Sequence, residues 1–175
     1  MLALFRKDRL AEAALAVYTP IVAQSRHPGF YAEWGVADTP TGRFMMISLH
    51  MALALRRLRS EPEASRFSQA LFDLFFRDMD RSLREMGVGD LSIGKRIAGM
   101  TELFYGLLSS VGSALDADDS SGLAASLSRN LFDFEPNAAA KLAAYCQVQS
   151  DTLAAQPAGA ILAGELRFET LKSDA

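Results

Sequence analysis

Apolar positions recur every three or four residues along most of the chain and alternate almost nowhere, so the pattern reads as helix after helix. A first helix, about Arg6 to Gln24, carries Leu10, Ala14, Val17 and Ile21 on one side. Pro20 falls inside that pattern and should kink or divide the helix. His27-Pro-Gly then breaks the chain before Phe30-Tyr-Ala-Glu-Trp-Gly, an aromatic segment of about one helical turn. Val36 to Gly42 reads as a loop in which Thr39 and Pro40 suit the start of the next helix. That helix, about Pro40 to Arg59, is apolar nearly all round in its middle, which predicts a place at the centre of a bundle. It ends in Arg56-Arg57-Leu-Arg59, where cations favour the negative end of the helix dipole.

Pro62 opens a third helix, about Pro62 to Met86, with Phe67, Leu71, Phe75, Met79, Leu83 and Met86 in one stripe widened by Phe72 and Phe76. Its other face pairs Asp73 with Arg77, Asp80 with Arg84 and Arg81 with Glu85 at i,i+4 spacing. A fourth helix, about Ile93 to Leu115, repeats the design with Ile93, Ile97, Met100, Phe104, Leu107, Val111 and Leu115. Between them Gly87 can take the left-handed backbone that ends helices, Gly89 has the same backbone explanation, and Asp90 or Ser92 can cap the fourth helix. So short a connection makes residues 62–115 a helical hairpin with charges gathered at its tip.

Asp116 to Gly122 is a polar break. A shorter helix runs from Leu123 to Phe132, stopped around Phe134 to Pro136, and Asn137 caps an Ala-rich helix reaching about Ala155. Glu165 to Leu171 alternates like a strand, yet no partner strand is evident. The prediction is an all-α, single-domain irregular bundle of about six helices, with an N-terminal helix over 1–26, a main helical region over 27–156 and a tail over 157–175.

Composition narrows the class. In 175 residues, 50% are apolar and 22% charged, an ordinary globular balance. A net charge of -3 weighs against sequence-independent nucleic-acid binding, which runs on excess Lys and Arg. The single cysteine, Cys146, allows no intrachain disulfide and argues against a Cys-based zinc site. The apolar run from Phe44 to Leu55 is too short to span a bilayer. A soluble, reducing setting is expected.

Catalytic chemistry has few candidates. His50, on an apolar helix, reads as a satisfied core or interface residue, with a base or haem ligand as the rival; His27 reads as a turn residue. No nucleophile elbow, phosphate loop or paired-histidine metal motif occurs. Asp73, Asp78, Asp80, Glu85 and Asp90 read as a solvated face balanced by Arg77, Arg81 and Arg84, the rival being a carboxylate metal cluster. Phe30, Tyr31 and Trp34 either clamp the first helix onto the bundle or anchor an interface. Lys95 and Arg96 oppose the dipole near the start of their helix, so each invites a partner carboxylate or phosphate, or a salt bridge to Glu85 or Asp90. Met45, Met46, Met51, Met79 and Met100 can serve the core or an adaptable groove.

Three blocks carry a resemblance. Phe30-Tyr-Ala-Glu-Trp-Gly-Val-Ala-Asp-Thr-Pro-Thr-Gly-Arg-Phe44, then Leu71-Phe-Asp-Leu-Phe-Phe-Arg-Asp-Met-Asp-Arg-Ser-Leu-Arg-Glu-Met-Gly-Val-Gly-Asp-Leu-Ser-Ile-Gly-Lys-Arg96, then Phe104-Tyr-Gly, resemble the ubiquinol–cytochrome c chaperone family over His27 to Gln147. Such proteins assemble the cytochrome bc1 complex; in mitochondria they associate with newly made cytochrome b, together with a small partner protein. The resemblance therefore implies a non-enzymatic, cofactor-free chaperone of an apolar membrane subunit. Together with the charge balance, which points to no nucleic acid, it leads to the expectation of a cytoplasmic location, either free or peripheral on the cytoplasmic face of the inner membrane. Without the long N-terminal extension expected of a mitochondrial member, the chain looks like a bacterial-type one. The motif positions carried over as partner-binding are Phe30, Tyr31, Trp34, Asp38, Arg43, Asp78, Asp80, Arg84, Glu85, Gly89, Asp90, Lys95, Arg96 and Tyr105. The rival expectation is a helical carrier of haem or quinone, and a more distant one is a hydrolase or transferase using the Asp-rich helix.

Overall fold

The computed structural model describes residues 2–131 and 136–171, with side chains for 9–131 and 138–171. Every regular element among them is helical: α1 (Leu2–Ser25), α2 (Pro28–Ala32), α3 (Pro40–Leu58), α4 (Ser65–Glu85, entered through one 3-10 turn at Pro62–Ala64), α5 (Asp90–Asp116), α6 (Ser120–Asn130), α7 (Pro136–Ala154) and α8 (Ala158–Leu162). α3 is the axis. Every residue from Phe44 to Ala54 is buried, and α1, α5 and α7 all pack on it. α4 closes against α1 and α5, while α6 joins α5 to α7. Thr39 caps α3 by accepting the Gly42 N–H at 3.1 Å, with Pro40 in the first turn where its missing N–H costs nothing.

The arginines ending α3 do more than complement a dipole. Arg56 and Arg59 converge on Asp116 at the end of α5, at 2.7 and 2.5 Å, and Arg56 also donates to Ser150 of α7 at 2.9 Å. Arg57 donates to the Leu153 and Gln156 carbonyls at 3.1 and 2.9 Å and pairs with Glu61. One turn of cations thus ties three helices together.

Several expectations are corrected. Pro20 does not divide α1; the carbonyl it leaves unpaired belongs to Ala16, which is exposed to water, and Val17 and Ile21 hold the helix on both sides of it. Neither Asp90 nor Ser92 caps α5: Gly89 is the capping residue and makes no side-chain bond. Gly87 has φ +80°, as a helix-ending glycine should, but Gly89 sits at φ −65°, which any residue adopts, so its backbone rationale fails. On α4, Asp80 pairs with Arg84 at 2.7 Å, but Arg81 turns to Asp78 rather than Glu85, and Asp73 accepts from Gln69. α6 starts at Ser120, capped by Asp119; its expected end at Phe132 and the stop at Phe134 lie outside the described residues. α7 begins at Pro136, so the backbone puts Asn137 within the helix instead of before it.

The strand-like tail finds an unexpected partner. Leu166 and Leu171 are buried and Phe168 half-buried, while Arg167 and Glu169 are exposed. In place of a neighbouring strand, glutamine side chains pair with its backbone: Gln156 with Arg167 (2.8 and 2.9 Å) and Gln149 with Glu169 (2.9 and 2.8 Å).

Candidate functional site

The hairpin of α4 and α5 does not close fully against the start of α3. α4 turns Met79, Ser82, Leu83 and Met86 toward the gap, and α5 turns Ser92, Arg96, Gly99, Met100 and Leu103 toward it. Each set follows the three- and four-residue spacing of one helix face. α3 supplies Phe44 and Ile47, and the turn at Gly87, Val88 and Gly89 closes one end. The result is a groove of about 870 Å³.

Its chemistry is two-toned. Phe44, Ile47, Met79 and Leu83 form a buried apolar floor, whereas Met86 at 53% and Leu103 at 38% exposure stand open at the lip. Three methionines and two leucines in the lining, with flexible side chains, suit a surface that must adapt to varied apolar shapes. The rim is cationic on balance: Asp38 is taken by Arg43 at 2.6 Å, and Arg26 and Arg96, both exposed, make no ion pair among the described residues. The Arg43 guanidinium holds the Asp38 carboxyl below its ordinary range, so that pair stays charged through neutral pH.

Of the residues expected at a partner surface, the groove gathers Asp38, Arg43, Gly89 and Arg96. Arg84 bridges Asp80 (2.7 Å) and Asp90 (2.5 Å), pinning the end of α4 to the start of α5 and so shaping the groove from outside. With Asp90 taken by Arg84, Lys95 and Arg96 make no salt bridge among the described residues, to Glu85 or to any other carboxylate. Asp78 faces α1, accepting from Tyr18 at 2.9 Å and pairing with Arg81. Tyr105 is exposed and packs on Phe72 and Phe104 outside the groove lining.

Phe30, Tyr31 and Trp34 act in the clamp. Phe30 is fully buried against Trp34, His50 and Tyr145 at 5.4, 5.8 and 5.1 Å, and the Tyr31 hydroxyl donates to the Ser25 carbonyl at 2.8 Å. Met45, Met46 and Met51 are likewise core, while Met79 and Met100 line the groove. Sequence reasoning overlooked Leu103, Val88 and Arg26. Leu103 carried a signal, being an apolar residue off the buried stripe of α5; Arg26 carried none, since only the bundle brings it to the rim.

His50 is satisfied on both sides. Nδ1–H donates to the Met46 carbonyl at 2.8 Å, and Nε2 accepts the Tyr145 O–H at 2.7 Å, the tautomer being the one the carbonyl requires. Burial, only partly offset by the Met46 bond, lowers its pKa to about 4. No ring nitrogen is left for an iron. Among the described residues no group of three His, Cys, Asp or Glu is placed to hold a metal ion, and no helix is long and apolar enough to cross a membrane.

With this geometry in place, the comparisons with known proteins are decisive. The model of the ubiquinol-cytochrome C chaperone family matches residues 32–168. The chain belongs to that family. It is similar to the ubiquinol-cytochrome c reductase complex assembly factor 1 of Mus musculus, at 27% identity over 172 residues, 95% of this chain and 58% of that one. The Xenopus laevis factor of the same name is 26% identical over 74% of this chain and 64% of its own, so the chain spans less than two thirds of the length of these relatives. The crystal structure of the Cbp3 homolog from Brucella abortus superposes with a TM-score of 0.84 at 41% identity, covering 97% of this chain and 96% of that one. The helical architecture of that structure is therefore shared by this chain, and the α4–α5 hairpin lies within the span that the family model matches.

Proposed function

We propose that this protein is an assembly factor of the ubiquinol–cytochrome c reductase (bc1) complex that holds newly made cytochrome b, shielding an apolar segment of it in the groove at the hairpin tip. The observation that carries the reading is the groove itself: a Met- and Leu-lined floor opening between charged residues, on a family member whose relatives are named for assembly of that complex. An exposed apolar patch rimmed by charge is the physical signature of a surface kept for a partner. A helical client segment laid there would bury its apolar stripe against Met79, Met86, Met100 and Leu103, and Arg26 and Arg96 would meet an acidic flank or a helix C-terminus. The work is done by binding alone, without bond-making side chains, at the cytoplasmic face of the membrane that receives the client.

The test is genetic and spectroscopic. Deleting the gene lowers haem-loaded cytochrome b, the wild-type chain restores it, and a Met86→Glu, Leu103→Glu double variant, folded because both side chains are solvent-accessible, does not. Normal haem-loaded cytochrome b in the deletion strain contradicts the assembly role; full rescue by the double variant contradicts the groove's part in it.

A further inference from the structure

Away from the groove, the strap formed by residues 165–171 is held partly through its backbone, by contacts that do not depend on which side chains it carries. Arg167 and Glu169 each present their N–H and C=O to one glutamine amide, as residues i and i+2 of a strand present theirs to a neighbouring strand. Gln149 lies on α7 and Gln156 two residues past its end, so the strap is held from that helix and from the turn that follows it. Gln149 is 1% exposed, and Gln24 of α1 adds a bond to the Glu169 carbonyl at 3.2 Å. Beneath the backbone, Phe168 packs edge-on against His50 at 5.3 Å. The same aromatic cluster contains the Trp34 Nε1–H, a buried donor without an acceptor among the described residues.

We propose that this cleft between α1, α3 and α7 is a binding site for an extended polypeptide in which apolar and polar residues alternate, occupied here by the chain's own strap, and that a client segment can replace the strap. Amide-to-backbone pairing recognises any extended chain that has N–H groups at alternate positions, while the cleft beneath selects apolar side chains. Gly164, at φ +104° just before the strap, is the natural hinge, since only glycine turns there without strain. The site is separate from the hairpin groove and stands whether or not the groove holds the client.

Two measurements on the full chain test it. Hydrogen exchange at the Arg167 and Glu169 amides is expected about a hundredfold faster than at Leu49 and Met51 of α3, because the strap opens without global unfolding. A peptide of residues 164–171 carrying a tryptophan-quenching label is expected to bind saturably and to quench Trp34 fluorescence. The same peptide with Arg167→Pro and Glu169→Pro, which has no N–H for either glutamine, does not bind. A Gln156→Leu variant, altered at the more exposed of the two glutamines, loosens the resident strap and is expected to speed exchange at the Glu169 amide at least tenfold without loss of helicity. Strap amides that exchange only with the α3 core, or equal binding of the proline peptide, overturn the proposal. Concentration-dependent dimers that the peptide disperses overturn it in favour of strap exchange between two copies of this chain.

Discussion

At His50, burial outweighs the opposing bond to the Met46 carbonyl, giving a histidine that takes up a proton at lower pH in the folded chain than in the unfolded one. Its folded pKa is about 4 against an ordinary 6.5, so the unfolded state takes up a proton first as pH falls. Stability is therefore unaffected by this group above pH 6.5 and drops as pH falls toward 4, by roughly 2 kcal/mol between pH 6.5 and 5. Urea midpoints measured across that interval should show the fall, and His50→Gln should flatten it. The two glycines of the hairpin turn separate in the same way. Gly87→Ala puts a side chain at φ +80°, with no atom crowding its Cβ, and should cost about 1 kcal/mol in urea unfolding. Gly89→Ala at φ −65° should leave stability unchanged, so any loss of client binding by that variant reports a role at the closed end of the groove rather than in folding.

Among the elements, α3 and the α4–α5 hairpin were legible because their signals are periodic and local. A helix apolar all round has nowhere to sit but the centre, and Thr39-Pro40 marks its start by a capping bond confined to four residues. What escaped were arrangements set by distant groups. Asp90 looked like a cap in isolation, yet Arg84 claims its carboxylate. The alternation of residues 165–171 is strand-like but leaves the conformation open, because its partners are glutamine side chains 11 and 20 residues earlier, a pairing with no periodic trace. The fourteen motif positions divide for a similar reason: resemblance marks residues without saying whether they clamp the fold, like Phe30, or border the groove, like Arg43 and Arg96.

At the scale of the whole molecule, the bundle is knotted at one end and open at the other. Arg56, Arg57 and Arg59 bind the end of α3 to α5 and α7, so that end has little freedom to move. The opposite end, where α3 starts and the hairpin turns, keeps Met86 and Leu103 uncovered. An apolar lip left open on an otherwise well-packed fold is a standing liability for solubility, which is the physical reason to assign it a partner. The most direct measurement places a photoreactive amino acid in cells at position 86 or 103, with position 105, outside the lining, as the comparison. The account predicts adducts with newly made cytochrome b from 86 and 103 and few from 105; adducts from 105 with none from the groove would contradict it.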